Sequence, residues 1–181
     1  MTSISIFHSR TLAENWQISQ NLAMLLELSP MSSIKERLAE LEQKELLVES
    51  TEKYTIETNI DPYGQHLHHT GSLKLFEKER IRIFEEHGMP AKMMAEEHGL
   101  WGFVYEISVR YSGQIAKGAE VEVTSRIFLS RPALLSFHQT INIDGQDLVE
   151  AIVGVALVNR DGKPVIIPDW ILNNLRPPES S

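Results

Sequence analysis

The sequence contains no cysteine and no long apolar run, and both absences exclude classes of function. Without cysteine, the chain has no disulfide, no thiolate metal ligand and no cysteine nucleophile. No stretch of about eighteen apolar residues occurs, so no transmembrane helix is predicted. Residues 1–7 do not have the pattern of a secretory signal. We therefore expect a cytoplasmic protein.

Basic residues are also scarce, because 17 Lys and Arg stand against 25 Asp and Glu and give a formal net charge of −8. Contact with nucleic-acid phosphates needs concentrated Lys and Arg, so a general nucleic-acid binder is not expected. Any anionic ligand would need a local basic patch. A length of 181 residues with 42% hydrophobic content is enough for one domain with a buried core, with or without an appendage.

The first fifty residues predict helices, which we assign to an N-terminal helical extension over residues 1–50. Apolar residues recur there at helical spacing in two stripes, which are Trp16, Ile18, Leu22, Leu25 and Leu26, and then Ile34, Leu38, Leu41 and Leu46. Ser29-Pro30 separates the stripes, and Ser32 or Ser33 with Glu36 forms a capping box. Apolar stripes require burial, so we expect this extension to cover the domain or to form an oligomer contact.

After residue 50 the pattern predicts one long helix and a single antiparallel sheet, an α+β layout over residues 51–176 with a disordered tail at 177–181. The predicted helices cover 72–87 and 91–98, and the predicted strands cover 53–60, 101–111, 119–129, 134–143 and 148–158. The last strand is apolar on both faces, which favours an interior position in the sheet. Asp144-Gly145 predicts a tight hairpin.

Four motifs in this domain together resemble the 4-hydroxybenzoyl-CoA thioesterase family. They are Asp61-Pro62-Tyr63-Gly64 before the long helix, Phe76-Glu77-Lys78-Glu79-Arg80-Ile81 within it, Ile115-Ala116-Lys117-Gly118-Ala119-Glu120, and Asp161-Gly162-Lys163-Pro164-Val165 followed by Ile167-Pro168. The resemblance implies the hotdog fold, in which an antiparallel sheet wraps around one long helix. It also implies an acyl-CoA thioesterase that releases free acid and CoA, with its site between the subunits of a homodimer or homotetramer.

The resemblance makes Asp61 the leading catalytic residue, as nucleophile or as general base. Read alone, Asp61 before Pro62 and Gly64 is a common turn opening. The family places backbone oxyanion donors at the start of the buried helix, here His68 to Gly71, and Gly64 allows a tight turn close to the ligand. His68 is the expected polar acid, base or orienter, and His69 competes for that position. Glu77 is a further catalytic candidate, because another hotdog branch uses a glutamate of this helix.

The histidines of the loop do not predict a metal site, since His66, His68 and His69 lack a committed fourth ligand and second-sphere support. No cofactor is expected either, because CoA enters as part of the substrate. The cations that the resemblance places near the nucleotide phosphates are Arg110, Lys117, Arg126 and Arg131.

A second function stays open, namely a non-catalytic module that binds or senses acyl-CoA or an acyl-carrier protein and carries the N-terminal helices as a regulatory appendage. Residues 1–50 contain four basic and seven acidic side chains, so we do not expect this extension to bind DNA. A thioesterase would hydrolyse an acyl thioester, whereas the binding module would bind it without turnover. The sequence leaves open the acyl group and the choice between CoA and carrier protein.

Overall fold

In the computed structural model, residues 33–177 are described, and they form a five-stranded antiparallel sheet with one long helix packed along it. The elements in chain order are α1 (Ile34–Leu41), β1 (Glu45–Thr55), α2 (His69–Glu86), α3 (Ala91–Glu96), β2 (Trp101–Tyr111), β3 (Glu120–Arg131), β4 (Leu134–Ile143), β5 (Gln146–Val158) and α4 (Asp169–Leu175). The strand order is β1-β3-β4-β5-β2. The predicted α+β hotdog fold is confirmed, whereas the predicted first helix and the tail beyond residue 177 lie outside the described residues.

Helix α2 packs on one face of the sheet and supplies the centre of the main core. Phe76 and Ile83 of this helix are fully buried, as are Val123, Ile127 and Ile141 of the sheet. Burial of each such side chain stabilises the fold by about 1.5–3 kcal/mol. Strand β5 lies between β4 and β2, so its predicted interior position is confirmed.

Helix α1 forms a smaller apolar cluster of its own. The members of this cluster are Ile34, Leu38, Leu41, Phe128 and Ile152. The predicted capping box is present and uses Ser33, whose hydroxyl accepts from the Glu36 N–H while the Glu36 carboxylate accepts from the Ser33 N–H. Arg37 ties the helix to β2 through bonds of 2.7–3.0 Å to Glu106 and Ser108.

The predicted end of the second N-terminal helix and the predicted first strand were wrong. Helix α1 ends at Leu41, and Leu46 lies in β1, which starts at Glu45 rather than at residue 53. Strand β1 therefore crosses the position that the sequence assigned to the boundary of the extension. Pairing with β3 along the whole strand, together with burial of Leu47 and Val48, outweighs the local helical spacing.

Helix boundaries also differ from the prediction. Helix α2 begins at His69 instead of residue 72, because Gly71 is a buried helical residue rather than part of the loop. A Cβ at Gly71 would lie 2.6 Å from Leu67 Cδ1 and 2.8 Å from Asn59 Cβ, so glycine allows this close approach. Helix α3 ends at Glu96 instead of residue 98, and α4 was not predicted.

The hairpin prediction at Asp144-Gly145 is confirmed. Both residues have positive φ, 50° and 82°, which is the type I′ geometry that joins β4 to β5. None of the helices within residues 33–177 has the length and apolar character needed to cross a membrane.

Candidate active site

Asp61 lies in a tight turn between β1 and α2. Its Oδ1 accepts the N–H groups of Tyr63 at 2.8 Å and Gly64 at 3.0 Å, while its own N–H donates to the His66 carbonyl at 2.7 Å. The Tyr63 N–H is the main cause that lowers the pKa of Asp61 below its ordinary value, and the Gly64 N–H adds to it. Asp61 is therefore a carboxylate at neutral pH, held in a fixed position by backbone donors.

Gly64 leaves room for the His66 ring. A Cβ at position 64 would lie 2.1 Å from His66 Cε1, so any other residue there would displace the His66 ring. The loop is also fixed to the connection between β2 and β3, because Leu67 N–H donates to the Ile115 carbonyl at 2.7 Å and Lys117 N–H to the Gln65 carbonyl at 3.0 Å. These contacts hold the Asp61 turn against a second loop and bring Lys117 beside it.

The first residue of α2 has an unengaged backbone donor. His68 caps the helix, and its Nδ1 accepts the Thr70 N–H at 3.3 Å. The N–H groups of His68 and Gly71 bond to the carbonyls of Asn59 and His68. Within residues 33–177, the His69 N–H has no hydrogen-bond partner. That N–H, together with the helix dipole, can stabilise an anion near the start of α2.

The two histidines that competed for one position now have distinct places. His68 is the capping residue, and its Nδ1 lies 2.8 Å from Thr70 Oγ1. His69 is the first residue of α2, and its ring centroid lies 4.1 Å from that of His68. Their assignment to catalysis stays a prediction.

Glu77 lies two turns into α2, on the wall of a cavity that the sequence did not predict. It is about 12 Å along the helix axis from His69, at 1.5 Å per residue. The cavity has a volume of about 310 Å³ and lies between the second half of α2, the start of β2, α3 and α4. Its lining is apolar except for Glu77 and Arg80. In the sequence, Arg80 is part of the second family motif and a possible partner of Glu77 at helical spacing.

The four predicted phosphate-binding cations do not lie together. Arg110 forms an ion pair of 2.7 Å with Glu150, whose other oxygen lies 3.0 Å from His138 Nε2. Arg126 lies within 4.0 Å of two carboxylates, those of Glu42 and Glu49.

Lys117 and Arg131 mark opposite ends of β3. Lys117 precedes this twelve-residue strand, which spans about 40 Å at 3.3 Å per residue, and Arg131 ends it. Lys117 therefore lies beside the Asp61 turn, and Arg131 lies at the far end of the strand. The part of these cations in CoA binding stays a prediction.

The model of the Thioesterase-like superfamily matches residues 56–175, which cover the Asp61 turn, α2 and the strands β2 to β5. The chain therefore belongs to the Thioesterase-like superfamily, and it is a thioester hydrolase of the hotdog fold. No curated protein sequence is significantly similar to the chain.

Solved structures show the same fold at low sequence identity. A probable thioesterase from Bartonella henselae is 21% identical, with a TM-score of 0.61 over 67% of this chain and 100% of its own. A 1,4-dihydroxy-2-naphthoyl-CoA thioesterase from Synechocystis is 9% identical, with a TM-score of 0.66 over 71% and 96%. A Staphylococcus aureus protein in complex with CoA is 18% identical, with a TM-score of 0.64 over 76% and 90%.

Proposed function

We propose that the chain hydrolyses acyl-CoA thioesters and that Asp61 is the catalytic carboxylate. The observation that carries this proposal is the Asp61 turn, where two backbone N–H groups keep the carboxylate ionised close to the start of α2. Membership of the superfamily gives the reaction class. The solved relatives named for CoA thioesters, and the one in complex with CoA, support CoA as the carrier.

The chemistry requires a group that attacks the thioester carbonyl and a donor for the oxyanion. Both backbone bonds end on Asp61 Oδ1, so Oδ2 is available for the reaction. Oδ2 either attacks the carbonyl carbon and forms a mixed anhydride that water then hydrolyses, or it takes a proton from an attacking water. In both routes the C–S bond breaks and the sulfur leaves as thiolate, which is protonated in solution. The His69 N–H is the proposed oxyanion donor.

A second copy of the chain completes the proposed site. Tyr111, at the end of β2, donates from its hydroxyl to the His69 carbonyl at 2.9 Å, whereas Trp101, at the start of β2, lines the cavity beside the second half of α2. Within one chain, Asp61 and the cavity therefore lie towards opposite ends of α2. Strand β2 is at the edge of the sheet. Antiparallel pairing of β2 with its counterpart would bring Asp61 of one protomer to the cavity of the other.

The β2 edge has the exposed apolar side chains that such a contact needs, which are Trp101, Val104, Ile107 and Tyr111. We expect light scattering to give the mass of a dimer, or of a tetramer that consists of two such dimers. Ile107→Glu should give a folded monomer that has lost its activity. Ile166→Glu is the matched control, because Ile166 is also exposed and apolar but lies outside β2. A wild-type monomer with full activity would contradict this arrangement.

The test of the reaction is thiol release from short, long, branched and aromatic acyl-CoAs. The absence of cysteine removes any protein background from a thiol assay. We expect turnover of at least one substrate and a loss of about 100-fold or more in kcat for Asp61→Asn, the scale of a lost general base or nucleophile. Asp144→Asn is the matched control, because Asn tolerates the positive φ of that hairpin position.

Two outcomes decide between the candidates. Loss of activity in Glu77→Gln with retention in Asp61→Asn would transfer the catalytic role to Glu77. Tight binding of acyl-CoA by a wild type that turns over none of the panel would favour the non-catalytic binding module. Thermal melting of each variant checks that the loss does not come from unfolding.

A further inference from the structure

Arg80 is a charged group on the wall of an otherwise apolar cavity. Its Nη1 donates to Gln139 Oε1 at 2.6 Å, and its guanidinium carbon lies 5.8 Å from the centre of the Phe137 ring. Gln139 is fully buried, and its amide nitrogen donates to the Phe76 carbonyl at 3.0 Å and to Ser125 Oγ at 2.8 Å. The orientation of Gln139 is thus fixed, and Gln139 in turn fixes one edge of the Arg80 guanidinium.

The charge of Arg80 has no counter-charge in contact with it. Across residues 33–177, no carboxylate lies within 4.0 Å of the Arg80 guanidinium, although Glu77 lines the same cavity. Burial lowers the pKa of Arg80, yet a guanidinium stays protonated in proteins. The Glu77 carboxylate acts on Arg80 only from beyond contact distance. A partly buried cation that no carboxylate contacts is costly, so a bound carboxylate would be favoured there.

The rest of the cavity wall suits a chain of methylene groups. Aliphatic and aromatic side chains make up this wall, among them Phe84, Met94, Leu135, Val155 and Leu157. A volume of about 310 Å³ is at the lower end of the range for small-molecule sites, which fits a short acyl chain better than a long one. No residue within 33–177 accepts from Arg80 Nε or Nη2, so these donors can form the forked contact that a carboxylate prefers.

We propose that Arg80 binds a carboxylate at the far end of the acyl group, so that the preferred substrates are CoA monothioesters of dicarboxylic acids. This inference rests on the proposed thioesterase function and adds the substrate class. Arg80 is then a specificity residue that contacts the substrate remote from the scissile bond. Gln139 is a positioning residue, because it acts through Arg80.

The test compares substrate pairs of equal chain length, adipyl-CoA with hexanoyl-CoA and suberyl-CoA with octanoyl-CoA. We expect wild type to favour the carboxylated member of at least one pair by about 10-fold or more in kcat/KM, the scale of a satisfied buried polar group. Arg80→Met should remove this preference by lowering kcat/KM for the carboxylated substrate while that for its partner changes less than about two-fold. Arg80→Lys should restore part of the preference.

Lys92→Met is the matched control, because Lys92 is an exposed cation on α3 close to the cavity but does not line it. The control should keep the wild-type preference. An equal loss on both members of a pair would show that Arg80 acts on the reaction or the fold, and would overturn the inference. A wild type that prefers hexanoyl-CoA and octanoyl-CoA would overturn it as well.

A binding measurement separates failure of this inference from failure of the proposed function. Calorimetry with non-hydrolysable thioether analogues of adipyl-CoA and hexanoyl-CoA needs no turnover. Tighter binding of the carboxylated analogue to wild type, lost in Arg80→Met, supports the role of Arg80 even in a chain that hydrolyses nothing. Equal binding of the two analogues counts against it, whatever the activity.

Discussion

Helix α2 carries two Glu–Arg pairs of the same spacing, and the structure uses them in different ways. Glu79 and Arg82 face β1, where Arg82 Nε and Nη2 contact the Glu79 carboxylate at 2.8–3.2 Å and Tyr54 also donates to it. Glu77 and Arg80 line the cavity and form no ion pair. Identical spacing in the sequence therefore gives one closed network and one pair of charges available to a ligand.

The difference follows from what surrounds each pair. Glu79 is fully buried, and a buried carboxylate needs every oxygen satisfied if the charge is to be kept. Arg82 meets this need and also bonds to Glu86 of its own helix at 2.6 Å. Its bond of 2.7 Å to Ser50 ties α2 to β1. Glu77 is exposed, so solvent can satisfy it without Arg80. The first pair fixes the helix, and the second leaves Arg80 to the cavity.

The largest expected effect comes from breaking the closed pair. Arg82→Met leaves the buried Glu79 carboxylate without its cation, so the free energy of unfolding should fall by about 3–5 kcal/mol. Arg80→Met should lower it by less, about 1–3 kcal/mol, because it breaks no ion pair but leaves the buried Gln139 Oε1 without its donor. Urea unfolding of the two variants measures the comparison directly.

Glu86→Gln is the control for this prediction, since it removes only the exposed end of the Arg82 network. The side chain of Glu86 is 56% exposed, so the expected loss is no more than about 0.5 kcal/mol. If Arg82→Met destabilised the fold no more than Arg80→Met, the Glu79–Arg82 pair would not stabilise the fold more than the Glu77–Arg80 pair.

Much of the fold was predictable because long strands carry local patterns. The bounds of β2 and β4 and the Asp144-Gly145 turn agree with the prediction, since alternation and turn chemistry depend on neighbouring residues alone. The start of β1 was missed because Leu41 and Leu46 continue a helical spacing, and only pairing with β3, far away in the sequence, makes residues 45–55 a strand. Tertiary contacts of that kind have no local signature.

The site was predictable only in part, for the same reason. The motif around Asp61 marks the turn, and its spacing from the long helix places the turn near the helix start. The sequence does not distinguish Arg80 from Arg82, because burial and partners decide which guanidinium is neutralised. It likewise does not show that Arg110 pairs with Glu150, forty residues away, across two strands.

A smaller effect should come from Tyr54, which closes the Glu79 network from the side of the sheet. Burial, and next the hydrogen bond to Glu79, raise the pKa of Tyr54 to about 12. Tyr54→Phe removes a hydrogen bond to a charged group and should lower the free energy of unfolding by about 1.5–3 kcal/mol at pH 7. Urea unfolding at a series of pH values measures both this loss and its pH dependence.

The pH dependence of the free energy of unfolding distinguishes a Tyr54 that bonds to Glu79 from a Tyr54 that only packs. The pKa of Tyr54 is near 10 in the unfolded chain and about 12 in the folded chain. Wild type should therefore lose stability between pH 10 and 12, because the unfolded state ionises first. Tyr54→Phe has no such group, so the gap between wild type and variant should narrow over this range. Tyr63→Phe, at a side chain that is 96% exposed, should follow wild type throughout. A gap that stays constant from pH 7 to 12 would mean that the pKa of Tyr54 is the same in the folded and the unfolded chain, and would contradict the role given to its hydroxyl bond with Glu79.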